Sequence, residues 1–317
     1  MSLKAVVYRP ARGVGFGHTL FAMSHYNAMA RALSVPFFST FEGQIYSLHG
    51  GEQGFINTFF TPESWSDHRS EVSYDAVQSA MRSAERAKDK VLLIGREAFP
   101  KRAPNEFPYL KKAEKLEYKR DRTKVTPEYL QNFDLIYVDS VQPDMSWVEW
   151  FEPISAPLKF QESYLKQVRE TLSLSSGSYI ALHARHGNGE YLDGRVSGES
   201  TKYAEFLEKI APSALTKKAE LNAEEIICLS DNAETAKTLA KLSNGRVAGA
   251  DHLPDEAFQK FIRGTPSQAM QRVGKIMFDF ATMAGAQHIV AGESYFPRAA
   301  NLLSAQGQLT LFRLYVD

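Results

Sequence analysis

The residues best suited to chemistry lie in one stretch, Ser178-Tyr-Ile-Ala-Leu-His-Ala-Arg-His-Gly-Asn-Gly-Glu190. An apolar run ends in His183, Ala184, Arg185 and His186. Gly187, Asn188 and Gly189 then let the backbone turn sharply and turn its N–H groups outward. The run reads as a buried strand, which puts Arg185 at the strand's mouth. There a guanidinium that never loses its charge can hold a phosphate through paired hydrogen bonds. A salt bridge at a strand end would use the same arginine, but the two histidines and the Gly-Asn-Gly turn favour an anion site. Glu190, just past the turn, is a carboxylate placed to accept a proton. Asp193 and Glu199 stand behind it, and an exposed loop acid is the plain alternative.

Two further blocks repeat the pattern of a strand ending in polar residues. Ile226-Ile-Cys-Leu-Ser-Asp-Asn232 ends in Ser230, Asp231 and Asn232, where Ser230 or Asp231 could equally cap the next helix. Asp279 to Arg298 reads as a helix, a strand and a Glu293-Ser294-Tyr295 turn before a second helix. Asp279 could accept two N–H bonds from a base, or be a helix-face acid in solvent. Ser294 and the helix start could bind a phosphate, and Arg298 could bind the ligand or pack structurally. Near the N-terminus, Gly13-Val-Gly-Phe-Gly17-His18 follows a strand. The spacing is GxGxG and not the GxGxxG of dinucleotide sites, and no ribose-binding acid follows.

These residues need a scaffold, and the chain supplies it. Ala5–Tyr8, Val35–Thr40, Val91–Gly95 and Leu135–Val138 read as strands, with helices at His18–Leu33 and Ser73–Lys88 (N-cap Ser73). After Pro153 and Pro157 the rhythm restarts. A helix spans Lys159–Leu172. Strands cover Ser178–His183, Glu225–Leu229, Arg246–Ala248, His288–Ala291 and Leu309–Tyr315. Helices cover Asn232–Leu242, Ser267–Gly285 and Pro297–Leu303, the second with an apolar stripe of Val273, Met277, Phe280 and Ala284. Strands alternating with helices imply mostly parallel sheets. The division expected is an N-terminal domain of 1–153 and a C-terminal one of 154–317. Lys101–Lys124, with nine Lys or Arg against four acids, reads as a solvated loop and surface helix or as a basic rim.

Composition narrows the function. The 317 residues include 37 Lys+Arg and 37 Asp+Glu, and this balance argues against a general nucleic-acid or membrane-surface binder. The lone Cys228 excludes an intrachain disulfide and a cysteine zinc cluster and, inside an apolar strand, reads as an inert thiol. His183 and His186 need not converge on an extended strand, so no metal site is expected. No apolar stretch approaches the roughly 18 residues that span a bilayer. With no secretory signal visible, the expected location is the cytoplasm.

HARHGNGE resembles the HxRHGNGE signature of bacterial nodulation fucosyltransferases, relatives of the eukaryotic α1,6-fucosyltransferases. The Ser230-Asp231-Asn232 turn, the order Asp279, Ser294, Arg298 and the Gly-x-Gly turn are similar to the same family. Glu293 and Tyr295 depart from it, and so does His18, which stands where the family has an acid. The resemblance covers roughly Pro153–Asn301 and the first fifty or so residues. It implies a GT-B-like α/β fold, two Rossmann-like domains facing across a cleft. The N-terminal half would bind the acceptor and the C-terminal half GDP-fucose. It implies an inverting, metal-independent transferase that moves fucose to a glycan hydroxyl, α1,6 to an N-acetylglucosamine-type sugar. The acceptor would be an oligosaccharide or glycolipid precursor, and no cofactor would be needed. Arg185 and Glu190 would be catalytic. His183, Arg185, His186, Asn188, Asp231, Asp279, Ser294 and Arg298 would bind the nucleotide sugar, with Gly13, Gly15, Gly17 and His18 near the cleft. Transfer from another GDP-sugar, or GDP-sugar binding without transfer, stays open.

Overall fold

The computed structural model describes residues 4–11, 15–42, 51–62, 69–95, 106–141, 156–174, 178–185, 201–248 and 266–313. The chain divides into two compact units, 1–159 and 160–317. Each is built on a parallel sheet whose central strands are apolar on both faces, because helices cover both sides.

In the first unit the strands are β1 (Ala5–Arg9), β2 (Phe37–Ser39), β3 (Phe60–Pro62), β4 (Ser70–Val72), β5 (Val91–Gly95), β6 (Glu114–Glu117) and β7 (Leu135–Asp139). Six of them form a sheet in the order β4-β2-β1-β7-β5-β6, with every neighbouring pair parallel. β1, β5 and β7 are buried along their whole length. The helix Tyr74–Ala87 lays Val77, Met81 and Ala84 against Val7, Leu93 and Tyr137. Ser73 caps this helix by accepting the Ala76 N–H. On the other face Phe16 meets Phe41, Phe55 and Phe60 in an aromatic cluster.

Three expectations change here. The first helix spans Phe16–Ala32, so Gly17 is helical and Gly15, not a longer turn, is its N-cap. The basic segment contains β6, which pairs with β5 at the sheet edge. Its Glu-Lys-Leu-Glu sequence buries only Leu116 and carries the charges that keep an edge strand from pairing with another chain. The helix Gly51–Phe59 and the three-residue strands β3 and β4 have no counterpart in the sequence reading.

β8 (Leu158–Phe160) lies where the first unit gives way to the second. The second unit holds β9 (Tyr179–His183), β10 (Glu225–Leu229), β11 (Arg246–Val247), β12 (His288–Gly292) and β13 (Leu309–Phe312). They are ordered β11-β10-β9-β12-β13, all parallel. Counted along the chain this is 3-2-1-4-5, so the winding reverses between β9 and β12, the point where doubly wound sheets bind ligands. The helix Thr201–Glu220, unread in the sequence, packs Phe206, Leu207, Ile210 and Ala214 onto β9, β10 and β12 despite Pro212 in its interior. Gly292 is required by that packing: a Cβ there would sit 2.9 Å from the Phe206 ring. On the opposite side the helix Pro266–Ala284 buries Val273, Met277, Phe280 and Ala284, the stripe expected from its 3.6-residue period.

Candidate functional site

The second sheet assembles the candidate residues by register. His183 stands level with Leu229 on one side and Ala291 on the other. Three neighbouring strands therefore end together, and the residues just past them share one edge: Arg185 after β9, Asp231 after β10, Glu293 and Ser294 after β12.

His183 is buried, and its ring lies 5.4 Å from Phe296 between centroids, tilted by 31°. Phe296 in turn meets Phe280 edge-on at 4.2 Å. This aromatic pair fixes the imidazole. Burial lowers the His183 pKa to about 4; nearby Asp231 opposes the shift and Arg185 adds to it. The ring is thus neutral at physiological pH, and its buried Nδ1 has no hydrogen-bond partner. A neutral imidazole can direct a hydrogen bond at a ligand without paying for a buried charge.

The turn after β9 is held from two sides. The Ala184 N–H donates to the Leu229 carbonyl, and the Tyr203 hydroxyl donates to the Arg185 carbonyl at 3.1 Å. The Arg185 side chain is partly exposed, and its Nε lies 3.9 Å from an Asp231 oxygen. At that distance the pair is a loose association of charges.

Asp231 does not cap the following helix, and nor does Ser230. The cap is Asn232, whose Oδ1 accepts the Thr235 N–H at 2.9 Å. Ser230 accepts the Asn232 N–H at 3.2 Å and shapes the turn. Position 231 is left to face Arg185.

Asp279 is not a solvent acid. It is partly exposed as a residue, yet burial of its carboxyl pushes its pKa up to about 8; Asp231 raises it further and Lys275, one turn away, works against both. Burial raises the pKa of Tyr164 on the helix Glu162–Thr171, and the nearby Asp279 adds to that shift. Among the described residues no hydrogen bond contributes to the titration of Asp279. A desolvated carboxyl is suited to a ligand that brings N–H groups.

Ser294 is the N-cap residue of the helix Tyr295–Leu302, but its side chain makes no cap bond and its buried Oγ has no partner. The helix begins two residues before Pro297, which therefore lies in the first turn, where its missing N–H costs nothing. Arg298 is engaged: its Nη2 donates to Glu293 at 2.9 Å, while its Nε is buried without a partner. Glu293 takes a second bond, from Arg313 Nε at 2.9 Å.

Gly15 and His18 lie in the first unit at the start of the helix Phe16–Ala32, with Gly17 buried in its first turn. Gly13, His186, Asn188 and Glu190 lie outside the described residues, as do Asp193 and Glu199. Cys228 is buried, its pKa raised to about 11, and its sulfur is 3.4 Å from the Ser243 hydroxyl, an inert thiol. No helix among the described residues is long and apolar enough to cross a membrane.

Sequence reading missed Tyr164, Lys275, Phe280 and Phe296 as neighbours of the site. Phe280 and Phe296 stand in helical positions that look like any core aromatic. It also missed a polar cluster at the mouth of the first sheet. There Arg9 and Asp139, register partners at the ends of β1 and β7, are both buried. Arg9 pairs with Glu106, Glu106 accepts from the Tyr74 hydroxyl at 2.8 Å, and Tyr74 accepts from Gln78 at 2.7 Å. An arginine closing an apolar strand was the available signal.

No family model matches the chain, and no curated protein matches it in sequence. Among solved structures it is similar to NodZ alpha-1,6-fucosyltransferase soaked with GDP-fucose, with a TM-score of 0.54 at 15% identity over 95% of this chain and 93% of that one. Fucosyltransferase NodZ from Bradyrhizobium is similar with a TM-score of 0.52 at 14% identity, over 96% and 94%. POFUT1 in complex with GDP gives 0.52 at 12% identity, over 100% and 99%. The likeness is one of fold: two Rossmann-like units with mostly parallel sheets, as in GT-B fucosyltransferases.

Proposed function

We propose that the protein transfers fucose from GDP-fucose to a hydroxyl of a glycan acceptor, with inversion and without a metal ion. One observation carries the reading. At the reversal point of the second sheet, a partly exposed Arg185, a neutral buried His183 with an unpartnered nitrogen and a desolvated carboxyl at Asp279 stand together. A guanine nucleotide diphosphate satisfies all three.

Asp279 accepts the N1–H and N2–H of guanine, which adenine cannot supply in that pattern. Arg185 takes the diphosphate, with the Ser294 hydroxyl and the N–H groups opening the helix Tyr295–Leu302. His183, with His186 and Asn188, positions the nucleotide. In the reaction the bond from fucose C1 to the diphosphate oxygen breaks and its electron pair stays on that oxygen. Arg185 and the backbone dipoles stabilise the charge as it forms. The acceptor oxygen bonds to C1 from the opposite face and gives its proton to a carboxylate, for which Glu190 is the candidate. The first unit holds the acceptor, an oligosaccharide or glycolipid precursor, and the protein works in the cytoplasm.

The test is calorimetric titration with GDP-fucose, GDP-mannose and UDP-glucose in EDTA buffer. Binding of GDP-fucose alone supports donor, base and metal independence together. Binding of GDP-mannose in its place keeps the guanine site and changes the sugar. Binding of UDP-glucose alone overturns the assignment of Asp279.

A further inference from the structure

Glu293 is an odd residue to find beside a phosphate site. It immediately precedes Ser294 and the helix start, and its carboxylate is only about one fifth exposed. Both its oxygens are taken, Oε1 by Arg298 and Oε2 by Arg313, each at 2.9 Å. Its own N–H donates to the Phe312 carbonyl, so the backbone beneath it is anchored to β13. The two arginines are unlike. Arg313 is about three quarters exposed, whereas Arg298 is mostly covered and its Nε is buried without a partner. Ser294 Oγ is also buried and unpartnered, and so is the Nδ1 of the fully buried His183, whose ring packs on Phe296 of the same helix. Donors therefore wait at this edge, with the Glu293 carboxylate set among them.

Resting on the donor site proposed above, we infer that Glu293 is a charge filter that favours a sugar-capped diphosphate over a nucleoside triphosphate. Each step from sugar nucleotide to free diphosphate to triphosphate adds roughly one negative charge near neutral pH. A carboxylate held at the phosphate subsite penalises each added charge, and partial burial weakens its screening. It also occupies Arg298, which would otherwise reward extra phosphate oxygens. Guanine contacts cannot tell GDP-fucose from GTP, because the base is the same. Discrimination must come from the phosphate end, and there Glu293 places a fixed anion beside Ser294 and the helix start. Arg313 moderates the filter by neutralising part of the Glu293 charge from the solvent side.

The geometry gives two variants opposite signs. Glu293→Gln keeps the shape and the acceptor for one arginine but removes the charge, so rejection of GTP should relax. Arg313→Ala leaves the charge less neutralised, so rejection should sharpen. Affinities for GDP-fucose, GDP and GTP are measured by calorimetry in EDTA for the wild type and both variants. The wild type should bind GTP about tenfold more weakly than GDP. Glu293→Gln should bring the two to near equality, and Arg313→Ala should widen the gap a further few-fold. A general loosening of the helix would move both variants in the same direction, and that result overturns the filter. So does an unchanged GTP-to-GDP ratio in Glu293→Gln while GDP still binds. Wild-type protein that binds none of the three guanine nucleotides would instead fail the donor site itself, before any variant is compared.

Discussion

The two sheets carry charge at the same place, the C-terminal ends of their central strands, and use it differently. In the first unit Arg9 is 2% exposed and its Nη1 pairs closely with Glu106, which is linked through Tyr74 to Gln78, although the Arg9 Nε is buried without a hydrogen-bond partner. In the second unit the charged groups stay loosely associated. Arg185 and Asp231 stand 3.9 Å apart, and His183 and Ser294 each keep a buried polar atom without a partner. A mouth that neutralises itself serves as scaffold or meets an uncharged ligand such as a sugar. A mouth with unspent donors and acceptors is waiting for an ion. The same architecture thus separates two tasks by how tightly each edge pairs its charged side chains.

The sharpest way to break this contrast is to remove each arginine. Arg9→Ala strands Glu106 and should cost about 3 kcal/mol of stability in urea unfolding, while GDP affinity stays within about twofold. Arg185→Ala should do the reverse. Its pairing with Asp231 is long and partly exposed, so stability should move by less than about 0.5 kcal/mol. GDP binding should fall roughly 30- to 100-fold, the loss of a charged hydrogen-bonding partner. If Arg9→Ala loses GDP and Arg185→Ala melts early, the two edges have been assigned the wrong way round.

A pH series sharpens the second edge. Guanine's two N–H donors need an ionised Asp279, and in the free protein burial pushes that carboxyl up to about 8. Below pH 8, binding must therefore expel a proton. GDP affinity should rise between pH 6 and 8 by up to about tenfold per unit and level off above. His183, lowered to about 4, stays neutral throughout and adds no slope. Calorimetry in buffers of different ionisation enthalpy should detect the released proton, and Asp279→Asn should abolish both slope and release. The smallest effect is an expected absence of one. Cys228, raised to about 11 and buried, should resist a thiol reagent until the second unit unfolds.

Legibility followed burial. β1, β5, β7, β9, β10 and β12 are buried almost throughout, so each reads as a bounded aliphatic run. β6 escaped notice because it sits at an edge and alternates charges around one buried leucine. The helix Thr201–Glu220 escaped because Pro212 interrupts it, although surrounding packing tolerates the break. At the site, His183, Arg185 and Asp231 were visible because they close buried strands. What stayed hidden depended on tertiary neighbours. Nothing local says that Asp279 loses its water, that Phe296 braces the imidazole, or that Glu293 reaches Arg313 across the end of β13.

Asn232 carries the cap of the helix Ala233–Ser243, and this relieves the residue before it of structural duty. Position 231 touches the electrostatics of His183, Arg185 and Asp279 and is not the cap of the helix that follows it. In most sites a residue so central is locked by the fold it supports. Here the lock is one residue away, so a mutant library at 231 can retune donor preference without spending the protein's foldability, which makes it the natural first dial for redesign.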